Sequence, residues 1–210
     1  ITEKQKIVEL LPKDNLYYYI HKFGVDYNMA VIKDILGLHD EALKMLLASD
    51  KEYSKFTLKK TNRYYNAVLV NRANILNMIG NSYFNLGKDS KIKRLDSSAT
   101  YYKKAYKIAQ KFNPPHKNSE KLYSLKIAKV LIARKEFKYA LLILKQFNNQ
   151  DEEFQIKQEI FFYKSMAYRH LNKIDSALFY AHYFLSHYKT SPSTVKNRIV
   201  IYDILASQYQ

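Results

Sequence analysis

The sequence predicts an all-α chain built from helical hairpins, and three observations carry that prediction. Only 4 Gly and 4 Pro punctuate 210 residues, too few for the many turns of a sandwich or barrel. Between these breaks apolar residues recur at helical spacing, as in residues 71–88, NRANILNMIGNSYFNLGK. A spaced frame also recurs along the chain. Leu76-x-x-Ile79-Gly80-x-x-Tyr83 is followed by Ser124-x-x-Ile127-Ala128-x-x-Leu131, Phe161-x-x-Lys164-Ser165-x-x-Tyr168 and Tyr202-x-x-Leu205-Ala206-x-x-Tyr209. A repeated frame points to stacked units rather than one irregular bundle. Lys164 departs from the apolar slot of its copy.

Taken in order, Thr2 with Gln5 reads as a capping box for a short helix that Pro12 ends, an N-terminal helical cap over 1–22. Asp14 or Asn15 opens a long segment to Leu36, with a break expected near Gly24. A helix over 40–54 completes a hairpin spanning 25–56. The basic connection SKFTLKKTNR leads to a helix from Tyr64 to Leu86, which Gly87 closes as a residue just past a helix end. Residues 88–97, KDSKIKRLDS, read as a loop, and helix 98–112 stops at Asn113-Pro114-Pro115, so the second hairpin is 64–112. Helices over 118–134 and 137–148 give a hairpin at 118–148, and helices over 152–171 and 174–188 give one at 152–188. Ser191-Pro192-Ser193 turns the chain into a final helix within 194–210, with Tyr202, Leu205 and Tyr209 at core slots.

The second helix of each hairpin repeats a small residue: Ala42 in HDEALKML, Ser98 and Ala105 in SSATYYKKAYKIA, Ala140 in EFKYALLIL and Ala177 in KIDSALFYA. Antiparallel helices approach closely only where no large side chain intervenes. Together with the first-helix frame, these landmarks resemble the tetratricopeptide-repeat family over roughly residues 25–210, most specifically over 73–109. The first-helix landmarks at 30, 80, 128, 165 and 206 are 50, 48, 37 and 41 residues apart, longer than the family's 34. Loop 88–97 is about six residues longer than the family's usual turn. The resemblance implies a right-handed α-solenoid with a concave groove lined by the first helices, in one repeat domain over 1–210. The last helix would begin a further repeat or cap the array, and its apolar core slots favour continuation beyond Gln210.

The same resemblance places Asn74, Asn77, Asn81, Phe84 and Asn85 in groove positions. Asparagine is a poor helix former, so the run at 71, 74, 77, 81 and 85 asks for a reason. A primary amide can pair with both the N–H and the C=O of an extended peptide. An exposed amide face in a Lys/Asn/Tyr-rich chain is the plainer explanation. Lys126 and Lys129 are loosely similar to the cations of the family's carboxylate-clamp members, outside their usual slots. Phe162, Met166 and Arg169 fall in the groove face of the fourth hairpin, where Phe162, Met166 and Phe84 could either hold an anchor side chain or simply pack between repeats.

The net charge of +16 is uneven. Residues 1–56 sum to −1, 57–149 to +16 and 150–210 to +1. A field of one sign steers anionic partners such as acidic peptide, nucleic acid or lipid, although a solvated lysine surface needs no partner at all. The densest basic patch is Lys88, Lys91, Lys93, Arg94, Lys103, Lys104 and Lys107. Twenty tyrosines, with no Trp, fill large core slots or, interleaved with lysine as in ATYYKKAYK, could stack bases. No nucleic-acid module is visible, which argues against nucleic acid as the partner of this segment.

Zero cysteines exclude disulfides, thiolate metal sites and a cysteine nucleophile. No P-loop, dinucleotide fingerprint, H-E-x-x-H or G-x-S-x-G occurs, no metal or cofactor site is indicated, and an enzyme is not expected. No apolar run has the length of a membrane span. The expectation is a non-catalytic module that binds a peptide or protein segment, acidic partners being favoured by the charge. The alternatives are an assembly scaffold or a basic surface for nucleic acid or another anion; homo-oligomerisation is open. The long repeats and Lys/Tyr-rich style resemble the N-terminal sensory region of bacterial regulators of the Bacteroidetes type. There, repeats precede a membrane helix and a DNA-binding or histidine-kinase output. That resemblance implies a periplasmic location for a membrane-anchored regulator and a cytoplasmic one otherwise.

Overall fold

The computed structural model describes residues 3, 6, 16–55, 59–87, 92–147, 154–187 and 195–206. Among them are nine helices and no strand: α1 Leu16–Ile35, α2 His39–Tyr53, α3 Tyr65–Gly87, α4 Ile92–Ala109, α5 Lys117–Ala133, α6 Phe137–Leu144, α7 Phe154–His170, α8 Ile174–His187 and α9 Val195–Ala206. None is long and apolar enough to cross a membrane. Packing follows chain order. α1 lies on α2, α2 on α3 and α3 on α4; α6 lies on α7, α7 on α8 and α8 on α9. Two contacts skip one helix, α1 with α3 and α7 with α9.

The chain divides into two compact units, residues 1–123 and 124–210, with the boundary inside α5. The first unit is built around Phe23, Leu46, Tyr53, Ile75, Leu76 and Ile79, all at most 1% exposed. The second is built around Leu125, Leu144, Ile160, Phe161 and Phe184. Small residues sit fully buried where helices approach. Ala30, Ala42, Ala105, Ala128, Ala140, Ser165 and Ala177 are all 0% exposed.

The closest approach involves Gly80. A Cβ there would lie 2.6 Å from Cε1 of the buried Tyr102 ring, and Ser98 donates its hydroxyl to the Gly80 carbonyl at 2.7 Å. Only glycine lets α4 lay an aromatic face on the α3 backbone.

Three turns share one construction. Gly37, Lys135 and Asn172 each adopt positive φ (78°, 62° and 55°) at the end of a helix. The next N–H in each case reaches back five residues to a carbonyl: Leu38 to Lys33, Glu136 to Leu131 and Lys173 to Tyr168, at 2.8–2.9 Å. This is the Schellman closure, which satisfies carbonyls left open at a helix end. Each turn stands seven residues after a buried small residue (Ala30, Ala128, Ser165) and five before another (Ala42, Ala140, Ala177). The three hairpins thus repeat at the level of backbone geometry.

Three sequence expectations are corrected. α1 runs through Gly24 without a break. The flanking Phe23 and Val25 are buried, and that burial outweighs a glycine cost of about 1 kcal/mol. The expected loop 88–97 is helix from Ile92 onward. Leu95 begins the apolar stripe that continues through Ser98, Tyr102, Ala105 and Ala109, and it packs against Gly87, but its charged surroundings hid the periodicity. In α9 the buried residues are Ile201 and Ile204, whereas Tyr202 is 52% exposed and Ala206 is exposed. Leu205 is partly buried against the core as expected, but the helix carries apolar residues around most of its circumference, so the sequence set the face too far toward Tyr202. The Thr2–Gln5 box, Pro12, the Ser191–Ser193 turn and Tyr209 lie outside the described residues.

Candidate functional site

The predicted groove residues fall into two groups, one in each unit. In the first unit, α3 presents Asn74, Asn77, Asn81 and Asn85, all half-buried. Two of these amides are engaged within the chain. Tyr102 donates its hydroxyl to Asn81 Oδ1 at 2.7 Å, and Asn85 Nδ2 lies 3.5 Å from Asp34 Oδ2 on α1, at the outer limit of a hydrogen bond. The Asn77 carbonyl oxygen is buried without a partner among the described residues, a costly state for a polar atom. Asn71, which begins the run, adjoins the Tyr53 hydroxyl, but the pair does not meet hydrogen-bond geometry. Phe84 is 8% exposed, so its ring is part of the packing.

The amide pairing that the sequence suggested for a ligand does occur, but at a different asparagine. Asn66 donates from Nδ2 to the Asn113 carbonyl and accepts the Asn113 N–H on Oδ1 at 3.0 Å. It thereby holds the segment after α4 against the start of α3.

In the second unit, Lys126 and Lys129 are half-buried on α5. Phe162, 7% exposed, packs within the core cluster 6.1 Å from Phe184. One turn further along α7 the chemistry opens to solvent. Met166, Arg169 and the adjacent His170 meet Val200, Asp203 and Ile204 of α9 around a cleft of about 220 Å³. Its floor is apolar and its rim carries a guanidinium, an imidazole and a carboxylate. The His170 ring lies face to face with Phe137, centroids 4.3 Å apart and planes within 6°. Burial, then the positive charges of Arg169 and Lys135, hold its pKa below the usual histidine value. His170 therefore enters the cleft at neutral pH as an uncharged donor and acceptor.

The sequence named Met166 and Arg169 as site residues but not His170, Val200, Asp203 or Ile204. Choosing Tyr202 with Leu205 as core slots set the face off the Ile201–Ile204 side, although Leu205 does pack at the edge of the core. The contact of α7 with α9 is the signal that sets the face.

The basic patch is described in part, since Lys88 and Lys91 lie outside the described residues. Lys93, Lys103, Lys104 and Lys107 are exposed. Arg94 donates to the Leu86 carbonyl at 3.2 Å, placing a cation at the C-terminal end of α3. Lys104 Nζ stands 4.6 Å above the Tyr101 ring, which stacks on Tyr83 with centroids 5.7 Å apart. Tyr101 thus already has an aromatic and a cationic neighbour within the chain.

One further ionisable group is unusual. Lys164, in the slot where the repeat frame calls for an apolar residue, is 4% exposed. Its ammonium lies 5.2 Å from the Tyr180 ring, which is stacked on Tyr168. Burial and then Lys145 lower its pKa, and no carboxylate pairs with it among the described residues.

No family model matches the chain, and no curated protein or solved structure matches it either.

Proposed function

We propose that this chain is a non-catalytic binding module of the tetratricopeptide type, a right-handed solenoid whose groove takes up a peptide or protein segment. The observation that carries the reading is the α7–α9 cleft. Residues that the repeat frame assigns to the groove, Met166 and Arg169, line it with His170 and with Asp203 of the following helix. An apolar floor with a few convergent polar groups suits one anchor side chain and the backbone beside it. Further support comes from the three hairpins with the same seven-and-five spacing about a left-handed turn residue. In this reading the module is the sensory part of a larger bacterial signalling or transcription-regulating protein.

The test is a panel of immobilised 12-residue peptides of varied sequence probed with the full chain. Binders should lose roughly tenfold in affinity on Arg169→Ala, about the worth of one charge-assisted contact. The melting temperature should stay unchanged. Retention of every binder by Met166→Ala/Arg169→Ala would remove the cleft from the proposal. The Asn77→Ala/Asn81→Ala pair addresses the other half of the predicted groove. Because Asn81 accepts from Tyr102, a fall in stability without a fall in affinity would make that stripe structural.

The second reading, an anionic partner on α4, is favoured by exposed Lys103 and Lys107 in the most basic part of the chain. It requires binding that falls steeply with salt and is lost on reversing those two charges.

A further inference from the structure

A larger cleft, of about 610 Å³, runs along the antiparallel pair α1–α2 in the first unit. None of its residues belongs to the groove positions, and its chemistry is of another kind. An ion pair closes each end. At the turn end, Lys33 Nζ meets Glu41 Oε2 at 2.5 Å. At the far end, Lys22 Nζ bridges Asp26 at 2.6 Å and Glu52 at 3.2 Å, while buried Ser49 donates to the same Asp26 oxygen at 2.7 Å. Between the ends the floor is Met45 and Ala48. Lys44 stands beside this floor, exposed, and among the described residues it is the one charged lining residue with no ionic partner.

From Lys22 to Lys33 the cleft follows eleven helical residues, about 16 Å at 1.5 Å per residue. An extended peptide covers that distance in about five residues. The paired ends hold their own charges yet retain capacity for a peptide backbone. Each ammonium has three N–H donors, and the second oxygen of Asp26 shows no bond among the described residues and can accept an N–H. A uniformly anionic strand fits poorly, because its phosphates would meet Asp26 and Glu41 as well as the lysines.

We infer that the α1–α2 cleft is a separate binding site for an extended peptide of about five residues, with an acidic side chain against Lys44 and an aliphatic one over Met45 and Ala48. The site does not depend on the α7–α9 reading and would stand if that reading fell.

The experiment measures fluorescence anisotropy of a fluorescein-labelled, amidated Gly-Leu-Glu-Leu-Gly peptide titrated with the full chain. The same peptide with Gln or Lys in place of Glu, and an oligodeoxythymidylate of similar length, serve as competitors. Saturable binding is expected, ordered Glu above Gln above Lys. Lys44→Glu should weaken it at least about fivefold with the helical circular dichroism unchanged, and Lys44→Arg should preserve it. Arg169→Ala should leave it untouched. Absence of saturable binding, indifference to Lys44→Glu, or tighter binding of the oligonucleotide would each overturn the inference. Loss on Arg169→Ala with indifference at Lys44 would place the peptide in the α7–α9 cleft, sinking this inference while supporting the other proposal.

Discussion

α3 and α7 are the first helices of the second and fourth hairpins in the same frame, yet they spend their unusual residues in opposite ways. α3 carries glycine at the slot facing its partner helix and lets Tyr102 settle on bare backbone; its amides then bond to α4 and α1. α7 carries Ser165 at that slot, buries a lysine beside it, and leaves Arg169 and His170 at a solvent-open cleft. The contrast teaches that a hairpin frame fixes which positions are close, not which are available. A polar side chain at equivalent positions of two helices is committed or left beside solvent according to what the neighbouring helix offers it.

The largest effect that would break this comparison lies at Gly80. Gly80→Ala gains helix propensity, about 1 kcal/mol, but its methyl would occupy space held by the Tyr102 ring at 2.6–2.7 Å. That ring is 1% exposed and its hydroxyl is committed to Asn81, so it cannot swing away cheaply. Overpacking of this kind costs about 1–3 kcal/mol, and with Gly80→Val the β-branch should reach the upper end. Urea denaturation gives the number. In α7 the matching change, Ser165→Ala, should cost about 1 kcal/mol at most, because the hydroxyl only bonds back to the Phe162 carbonyl at 2.8 Å. Equal costs at the two positions would contradict the asymmetry.

Lys164 gives the next effect, and its sign is opposite. With no carboxylate beside it among the described residues, the buried Lys164 ammonium is worse than an apolar group of similar volume, so Lys164→Met should stabilise by about 1–3 kcal/mol at pH 7. The lysine's pKa is depressed in the folded state. Its linked stability is therefore present above the unfolded value of 10.5 and lost as pH falls through the folded value. The advantage of the Met variant should be constant at low pH and shrink as pH rises toward 10.5. Buried tyrosines act in the other direction in both proteins. Burial, then Tyr27, pushes the Tyr123 phenol up to about 12, so its contribution is lost as pH rises from the free tyrosine value toward that point. The difference between variant and parent cancels this shared loss. A difference that does not change between pH 7 and 10 would mean that Lys164 reaches water.

How much of this was legible beforehand follows from where the information resides. Buried alanines at 42, 140 and 177 were readable because close helix approach needs small side chains at fixed spacing. The start of α4 was not, because Leu95 lies in a run of charges that reads as loop until Gly87 is known to face it. α9 was misjudged for the opposite reason: too many apolar residues, and no polar face to set the register. Of the α7–α9 cleft, the α7 half followed from the frame, while Asp203 depended on that register. The α1–α2 cleft was invisible, since Lys22 and Lys33 look like ordinary surface lysines until their carboxylates are placed, and Lys44 until the cleft beside it is.

The smallest effects separate the three hairpin turns, which share geometry but not residue type. Gly37, Asn172 and Lys135 hold φ of 78°, 55° and 62°. Glycine pays no steric cost there, asparagine a modest one, and lysine about 1–2 kcal/mol because its Cβ crowds the following carbonyl. Glycine also has more freedom to lose on folding, which offsets part of any gain. Gly37→Ala should therefore lower stability by about 1 kcal/mol even though no atom lies within 4 Å of the added Cβ, the cost being purely conformational. Lys135→Gly should raise stability by about 0.5–1 kcal/mol, and Asn172→Gly by less than that. Removing Lys135 also takes a positive charge away from His170, so the imidazole should titrate at a higher pH in Lys135→Gly. The two readouts, a denaturation midpoint and a histidine titration by NMR, are independent. A gain in stability with no upward shift at His170 would keep the turn as described and detach Lys135 from the electrostatics of the α7–α9 cleft.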